Sequence, residues 1–405
     1  MTDAPDDAVQ QRTPLLHLFL IFLRLGCTAF GGPAAHLAHY HAEFVERRRW
    51  LDESSYTRLL ALCQFLPGPA SSQMGMAIGL TQRGLPGMAA AWTAFTLPTA
   101  LLMTAAAIGV THWQLDPQAG WGQGLLAAVV AVVAFAVWSL GRKCCDTGAL
   151  KSVMLIATAG SLLLPLTWQV LVIGIAALVG ILAPRCFTGE HTTEAPDSPV
   201  SGRVGTVALI LVIALLALPL LVQVIDHPLL DLSARLVRSG ALVFGGGHVV
   251  LPLLQAETVP QFIAVDTFYA GYGAAQAMPG PLFGFSAYVG GAAAGTGDLR
   301  AVLWAAVACV ALFAPGALLL LAALPVWQRG LRFARLRAAV AAAGAAVVGL
   351  LLATLLGPVR AEAWHGEQVQ LQMAISILAL AGLAIWRIPA WAVVVLSAGL
   401  GAILL

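Results

Sequence analysis

Two arginines sit within otherwise apolar stretches, and each precedes a Phe-Gly-Gly by six residues. They are Arg24 before Phe30-Gly31-Gly32 and Arg238 before Phe244-Gly245-Gly246. A central arginine in a membrane costs roughly 2.5–3.5 kcal/mol on insertion scales, so it usually faces the protein interior and marks a pathway. Its planar fork of donors matches an oxyanion. Two Pro-Gly-Pro motifs, Pro67-Gly68-Pro69 and Pro279-Gly280-Pro281, each follow a glutamine by three residues, Gln64 and Gln276. Those amides can offer neutral hydrogen bonds. Glycine and proline interrupt a helix, and where a half-helix restarts its free N–H groups and roughly +0.5 of partial charge face the break. Pro33, Pro69 and Pro281 stand where a new helix would begin, and glycine beside them lets a ligand approach the backbone. The chemistry expected is non-covalent recognition of an anion. Blander readings stay open: small residues permitting helix crossings, arginines that snorkel or pair with Glu43 or Glu257, and Phe30 and Phe244 as packing or gating residues.

Four acids recur in pairs, Glu43 with Glu257 and Asp52 with Asp266. They are candidates for proton coupling, because a partly buried carboxylate titrates at a raised pKa. Helix capping, or ion pairs with Arg47-Arg48-Arg49, would use them equally well. His36, His39 and His41 have the look of a metal cluster. The equivalent second-half positions are Val250, Leu253 and Gln255, and no carboxylate or thiol spacing completes a site, so they are read as interfacial histidines and no metal is expected. The six cysteines lack CxxC spacing, no nucleophile motif appears, and no GxxxxGK[ST] loop is present. Neither an enzyme, a cofactor nor ATP use is expected.

The elements that must position these groups are membrane segments. Of 405 residues, 60% are hydrophobic and 10% charged, against roughly 25% charged in soluble domains. Soluble enzymes, nucleic-acid binders and disordered chains are thereby excluded. The N-terminal MTDAPDDAVQQR lacks the basic start of a secretory signal. Nine long apolar stretches read as helices: 85–110, 122–140, 150–165, 168–183, 204–225, 301–327, 338–357, 371–386 and 388–405. The Pro-, Ser- and Thr-rich segment Pro184–Arg203 is the one clear linker. Interrupted segments run from Leu15 to about Val45 and from Ser54 to about Leu80, and they recur in the second half together with Gly26/Gly240 and Pro98/Pro315. The expected architecture is therefore all-α and polytopic, a fused duplication of residues 1–183 and 204–405 around the 184–203 linker. Each half carries two broken, re-entrant hairpins followed by transmembrane helices. Basic residues flank the first set of breaks, whereas Leu251–Leu299 contains no Lys or Arg. By the positive-inside rule the halves are inverted, with the linker cytoplasmic and Asp226–Asp231 periplasmic.

FLRLGCTAFGGPAAH, EFVERRRWLDESSY and QFLPGPASSQMGMAIG resemble the first domain of a chromate ion transporter, and SGALVFGGGHVVLPLL with QAMPGPLFGFSAYVGG resembles its second. The likeness covers nearly the whole chain and fits the family's long-chain, two-domain form. It implies a bacterial inner-membrane, multi-pass secondary transporter that exports chromate and confers resistance, with sulfate as the close analogue. It also implies a substrate role for Arg24, Phe30-Gly31-Gly32, Pro67-Gly68-Pro69 and their second-half partners. Gly247-His248 stands where the first half has Pro33-Ala34, so the half-sites need not contribute equally. Expected partners are chromate or sulfate and the bilayer, with a homodimer left open and no nucleic acid.

Overall fold

The computed structural model describes residues 13–113, 116–164, 168–187, 200–243, 250–295, 297–326, 333–366 and 368–405. Among them every regular element is a helix, as Ala/Leu-rich segments without period-two alternation require. The first half runs α1 (Leu15–Thr28), α2 (Gly32–His41), α3 (Glu53–Phe65), α4 (Ala70–His112), α5 (Gly120–Cys144), α6 (Gly148–Leu163) and α7 (Gln169–Leu182). After the linker come α8 (Gly202–Leu216) and α9 (Leu218–Val222). There follow α10 (Pro228–Leu242), α11 (Val250–Thr258), α12 (Val265–Ala277), α13 (Phe285–Ala293) and α14 (Asp298–Ala323). The chain finishes with α15 (Ala334–Thr354), α16 (Arg360–Ala363), α17 (Val369–Ala384) and α18 (Ala390–Leu404). The protein is an all-α, multi-pass membrane protein. Five helical stretches are long and apolar enough to cross a bilayer: Ala70–Val110, Gly120–Cys144, Gly202–Val222, Asp298–Ala323 and Ala334–Ala363.

Four of the nine apolar stretches fall short of that. They form α6, α7, α17 and α18, of 16, 14, 16 and 15 residues. At about 1.5 Å per residue each is roughly 21–24 Å long, less than a hydrocarbon core of roughly 30 Å. Apolar composition alone cannot separate these from full spans. They pair instead as two hairpins, α6–α7 and α17–α18. The long α4 is itself two helices, because Arg83 (φ −141°, ψ 19°) and Gly84 (φ 63°, ψ −151°) leave helical geometry. Pro86 then falls in the first turn of the second piece, where its missing N–H costs nothing.

The helices associate as expected in lipid, through small residues that bring backbones together. α1 packs on α4 and α10 on α14; a methyl at Gly26 or Gly240 would collide with the carbonyl of Phe95 or of Leu312. The hairpins are exchanged. α6 and α7 of the first half pack on α15 of the second, while α17 and α18 pack on α5 of the first. Polar bonds cross the same seams. The Thr158 hydroxyl donates to the Gly349 carbonyl at 3.1 Å, and the Gln372 amide to Gln123 Oε1 at 3.0 Å. Outside, α8 turns Val207, Ile210 and Ile213 outward, an apolar surface suited to lipid rather than water.

Candidate functional site at the helix breaks

The first break lies at Phe30-Gly31-Gly32. α1 stops at Thr28, Gly31 and Gly32 take left-handed φ of 102° and 75°, and α2 restarts with Pro33 in its first turn. Phe30 rests its ring against Trp391 of α18, 5.9 Å between centroids. The first Pro-Gly-Pro separates α3 from α4, and the second separates α12 from a short 3-10 turn, Leu282–Gly284, that leads into α13. The equivalent second-half break, Phe244-Gly245-Gly246, lies outside the described residues.

Each Pro-Gly-Pro loop is held by the other half. Gly68 N–H donates to the Val243 carbonyl at 2.7 Å, and Gly280 N–H donates to the Ala29 carbonyl at 2.9 Å. Ala29 and Val243 end the helices that carry Arg24 and Arg238, so the two bonds are counterparts. A further pair accompanies them. Gln73 gives its amide to Pro67 and to Gly316, both at 3.0 Å, and the Thr99 hydroxyl donates to the Pro279 carbonyl. Thr99 and Gly316 directly follow Pro98 and Pro315. The proline inside each long helix thus sits against the opposite half's loop, where it removes one helix hydrogen bond.

His36 belongs to this lock and not to an interface, which corrects the expectation drawn from its spacing. It is fully buried, with Nε2 3.2 Å from the Ala29 carbonyl and Nδ1 3.3 Å from the Ser71 hydroxyl. These partners suit a neutral ring donating through Nε2 and accepting at Nδ1. The Ala29 carbonyl then takes two bonds, one on each lone pair. His39 and His41 lie at the surface side of α2, His41 bonding Glu53 at 2.8 Å.

A cavity of about 430 Å³ opens beside the breaks. Gly31 and Gly32 line it from the first half, Gln276 and Gly280 from the second, and Arg387 from the corner between α17 and α18. Of the two glutamines, Gln276 lines the cavity. Gln64 is half-buried in α3, away from this cavity's wall. Neither Arg24 nor Arg238 lines it. Arg24 is exposed, on one face of α1 with Leu20, Cys27 and Thr28. Arg238 is half-buried and donates to Glu257 at 2.7 Å; Arg235 joins them at 3.8 Å and also pairs with Asp231 at 2.8 Å. An arginine neutralised in this way is poorly placed to compensate an anion, so the pairing alternative describes Arg238.

The four acids have partners of their own. Buried Glu43 takes Arg47 and Arg48 at 2.5 and 2.6 Å, and Glu257 takes Arg238. Asp52 caps α3, accepting the Ser55 N–H at 2.6 Å. That backbone bond holds its exposed carboxyl below the usual range, opposite to what proton coupling near neutral pH asks for. Asp266 bonds the Thr267 N–H at the start of α12. Sequence reasoning missed Arg387, Gln73 and Thr99. The signal for Arg387 was a single charge between two apolar stretches with no room for a loop.

Helices broken at glycine and proline, interlocked across two halves and meeting at a cavity, define the class: an all-α, multi-pass membrane protein with interrupted helices. The family model described as "Chromate transporter" matches residues 16–181 and 230–402, and the chain belongs to that family. It is 28% identical to a chromate transport protein of Pseudomonas aeruginosa, over 98% of this chain and 94% of that one. It is 28% identical to a probable chromate transport protein of Synechococcus elongatus (78% and 77% covered). An uncharacterised transporter of Methanocaldococcus jannaschii is 26% identical (81% and 80% covered). No solved structure matches the chain. These relatives are named as transporters, and a transporter rather than an enzyme is the class supported.

Proposed function

We infer that the chain moves chromate across a bacterial inner membrane, outward, by alternating access between two inverted halves, and so confers chromate resistance. The observation that carries this reading is the cavity whose walls come from both sets of breaks, Gly31-Gly32 on one side and Gln276 with Gly280 on the other. Chromate is a compact dianion. Exposed backbone N–H groups at a helix start, together with neutral amide donors, are the groups that can replace its hydration. Arg24, exposed in the last turns of α1 ahead of the Phe30-Gly31-Gly32 break, would meet the anion on its way in.

Inversion is supported by a count. Between the two sets of breaks lie three stretches long enough to cross: the piece of α4 after the Arg83-Gly84 interruption, Gly120–Cys144 and Gly202–Val222. The hairpin α6–α7 adds two crossings or none. An odd total in either case supports opposite orientations for the halves, 1–183 and 204–405, and the basic residues flanking the first set of breaks favour a cytoplasmic 184–203 linker. The reciprocal bonds of Gly68 and Gly280 fit a rocking motion in which each loop travels with the opposite half.

Chromate and sulfate uptake into sealed inverted vesicles, with and without a pH gradient, tests the function. Saturable chromate uptake that sulfate outcompetes only weakly is expected, and no uptake above empty vesicles would refute it. Reporters in the linker and at Asp226–Asp231 should read opposite sides; the same side at both would end the inverted arrangement. Arg24→Ala should slow uptake at limiting chromate more than at saturation.

A further inference from the structure

Between α17 and α18 the chain reverses within Trp386-Arg387-Ile388-Pro389. The corner is closed by Trp386 N–H to the Ala381 carbonyl (3.2 Å) and Ile388 N–H to the Gly382 carbonyl (2.9 Å). Arg387 occupies its left-handed position, φ 54°. A helix end of this kind commonly takes glycine or asparagine, because a side chain there crowds the backbone. For the turn alone, arginine is a poor choice. Strain kept at such a position points to a use for the side chain.

That use is indicated by where the side chain lies. Arg387 is exposed and is the one ionisable residue on the cavity wall it shares with Gly31, Gly32, Gln276 and Gly280. The rest of the wall near it is apolar, including Val132, Phe135, Leu383 and Ile388. No carboxylate among the described residues pairs with it, in contrast to Arg238, Arg235, Arg47 and Arg48. Gln276 shares this wall, its side-chain amide beside the Tyr272 hydroxyl. A positive charge without a carboxylate partner and a glycine backbone around one void form a site lacking its negative component.

We propose that Arg387 is the cationic anchor for the oxyanion in this cavity, the part that sequence spacing gives to Arg24 and Arg238. The assignment rests on the reading that the cavity handles chromate, and it names the residue that supplies the charge. It also makes the α17–α18 hairpin a working part of the site. Held against α5, the hairpin carries its tip to the breaks.

The test uses the full-length protein purified in detergent, with chromate and sulfate as probes, read by equilibrium dialysis and by ligand-induced thermal shift. Arg387→Gly removes the guanidinium and relieves the left-handed position, so this variant should melt at or above wild type. It should still bind both anions about tenfold or more weakly, the scale of one charge-assisted bond. Arg387→Gln, which keeps length without charge, should weaken binding similarly, and Arg387→Lys should keep part of the affinity because it retains the charge but not the fork. Wild-type affinity in R387G or R387Q overturns the proposal, as does a wild type that binds neither anion. Vesicle uptake separates this from the transport reading. A wild type that binds chromate through Arg387 but moves none removes transport and leaves the site. A wild type that transports while R387G matches it in binding and uptake removes the site and leaves transport.

Discussion

Replacing Gly280 by alanine probes the lock between the halves, and its cost can be built up from the structure. Gly280 has φ 90°, a conformation that costs an L-residue about 1–2 kcal/mol. The new methyl would run into the Thr99 hydroxyl, with the Gly26 and Phe95 carbonyl oxygens 3.3 Å away. Two of these three neighbours are backbone and cannot rotate aside, so overpacking adds about 1–3 kcal/mol. If the loop yields, the bond from Gly280 N–H to Ala29 goes with it, about another 0.5–1.5 kcal/mol. The sum is about 2.5–6.5 kcal/mol, a large share of an ordinary domain's stability. Gly32 is the control. It too has positive φ, 75°, but a methyl there meets nothing within 4 Å, so G32A should cost only the conformational part, about 1–2 kcal/mol. Thermal unfolding in detergent, followed by tryptophan fluorescence and by monodispersity on a sizing column, gives the order wild type, G32A, then G280A well below. If G280A melts together with G32A, the loop is not clamped by the other half and the reasoning fails.

Gln73→Leu removes the donor for two carbonyls, Pro67 and Gly316, and should lower stability by about 2–4 kcal/mol in the same melting assay; a change under 1 kcal/mol would show that the bridge carries no load. His36→Leu leaves Ser71 without its acceptor and Ala29 with one bond, so about 1–3 kcal/mol is expected, with urea or heat titration as the check. For the pair Arg238–Glu257, a double-alanine cycle should return a coupling of about 1 kcal/mol or more, because Glu257 is only 14% exposed; zero coupling would return Arg238 to the list of free cations. Asp52→Ala should lower the melting temperature slightly as a lost N-cap while leaving the pH profile of vesicle uptake unchanged; a shifted profile would restore Asp52 as a coupling residue.

The breaks were readable because their signal is local. Phe-Gly-Gly and Pro-Gly-Pro dictate interruption wherever they fall in an apolar run, and their recurrence in the same order at nearly the same offset exposes the duplication. Pairing Pro98 with Pro315 was equally visible. What Pro98 does was not, because Thr99 meets Pro279 only once two distant segments have docked. The apolar stretches end at 386 and resume at 388, so the interruption at Arg387 was visible; that the two helices fold into a hairpin there was not, since it is set by backbone conformation. The place of Arg387 on the cavity wall was hidden too. Its neighbours in the cavity, Gly31 and Gln276, come from two other segments far away in sequence. His36 misled in the opposite sense: lacking a second-half histidine, it was assigned to the surface, although one half alone uses it to brace Ala29.

The exchange of parts between halves also governs how the molecule can be made. When residue 183 has just left the ribosome, the Ala29 carbonyl has no Gly280 to accept from, Gly68 has no Val243 to donate to, and the hairpin α6–α7 has no α15 to embrace. The early chain must wait in the membrane with polar backbone groups unmet, a state that insertion factors have to shelter. Because none of the exchanged contacts is covalent, the same dependence works in the other direction. Two separately translated halves, cut within 184–203, should find each other and complete one another in the bilayer, whereas either half produced alone should be cleared by membrane proteases.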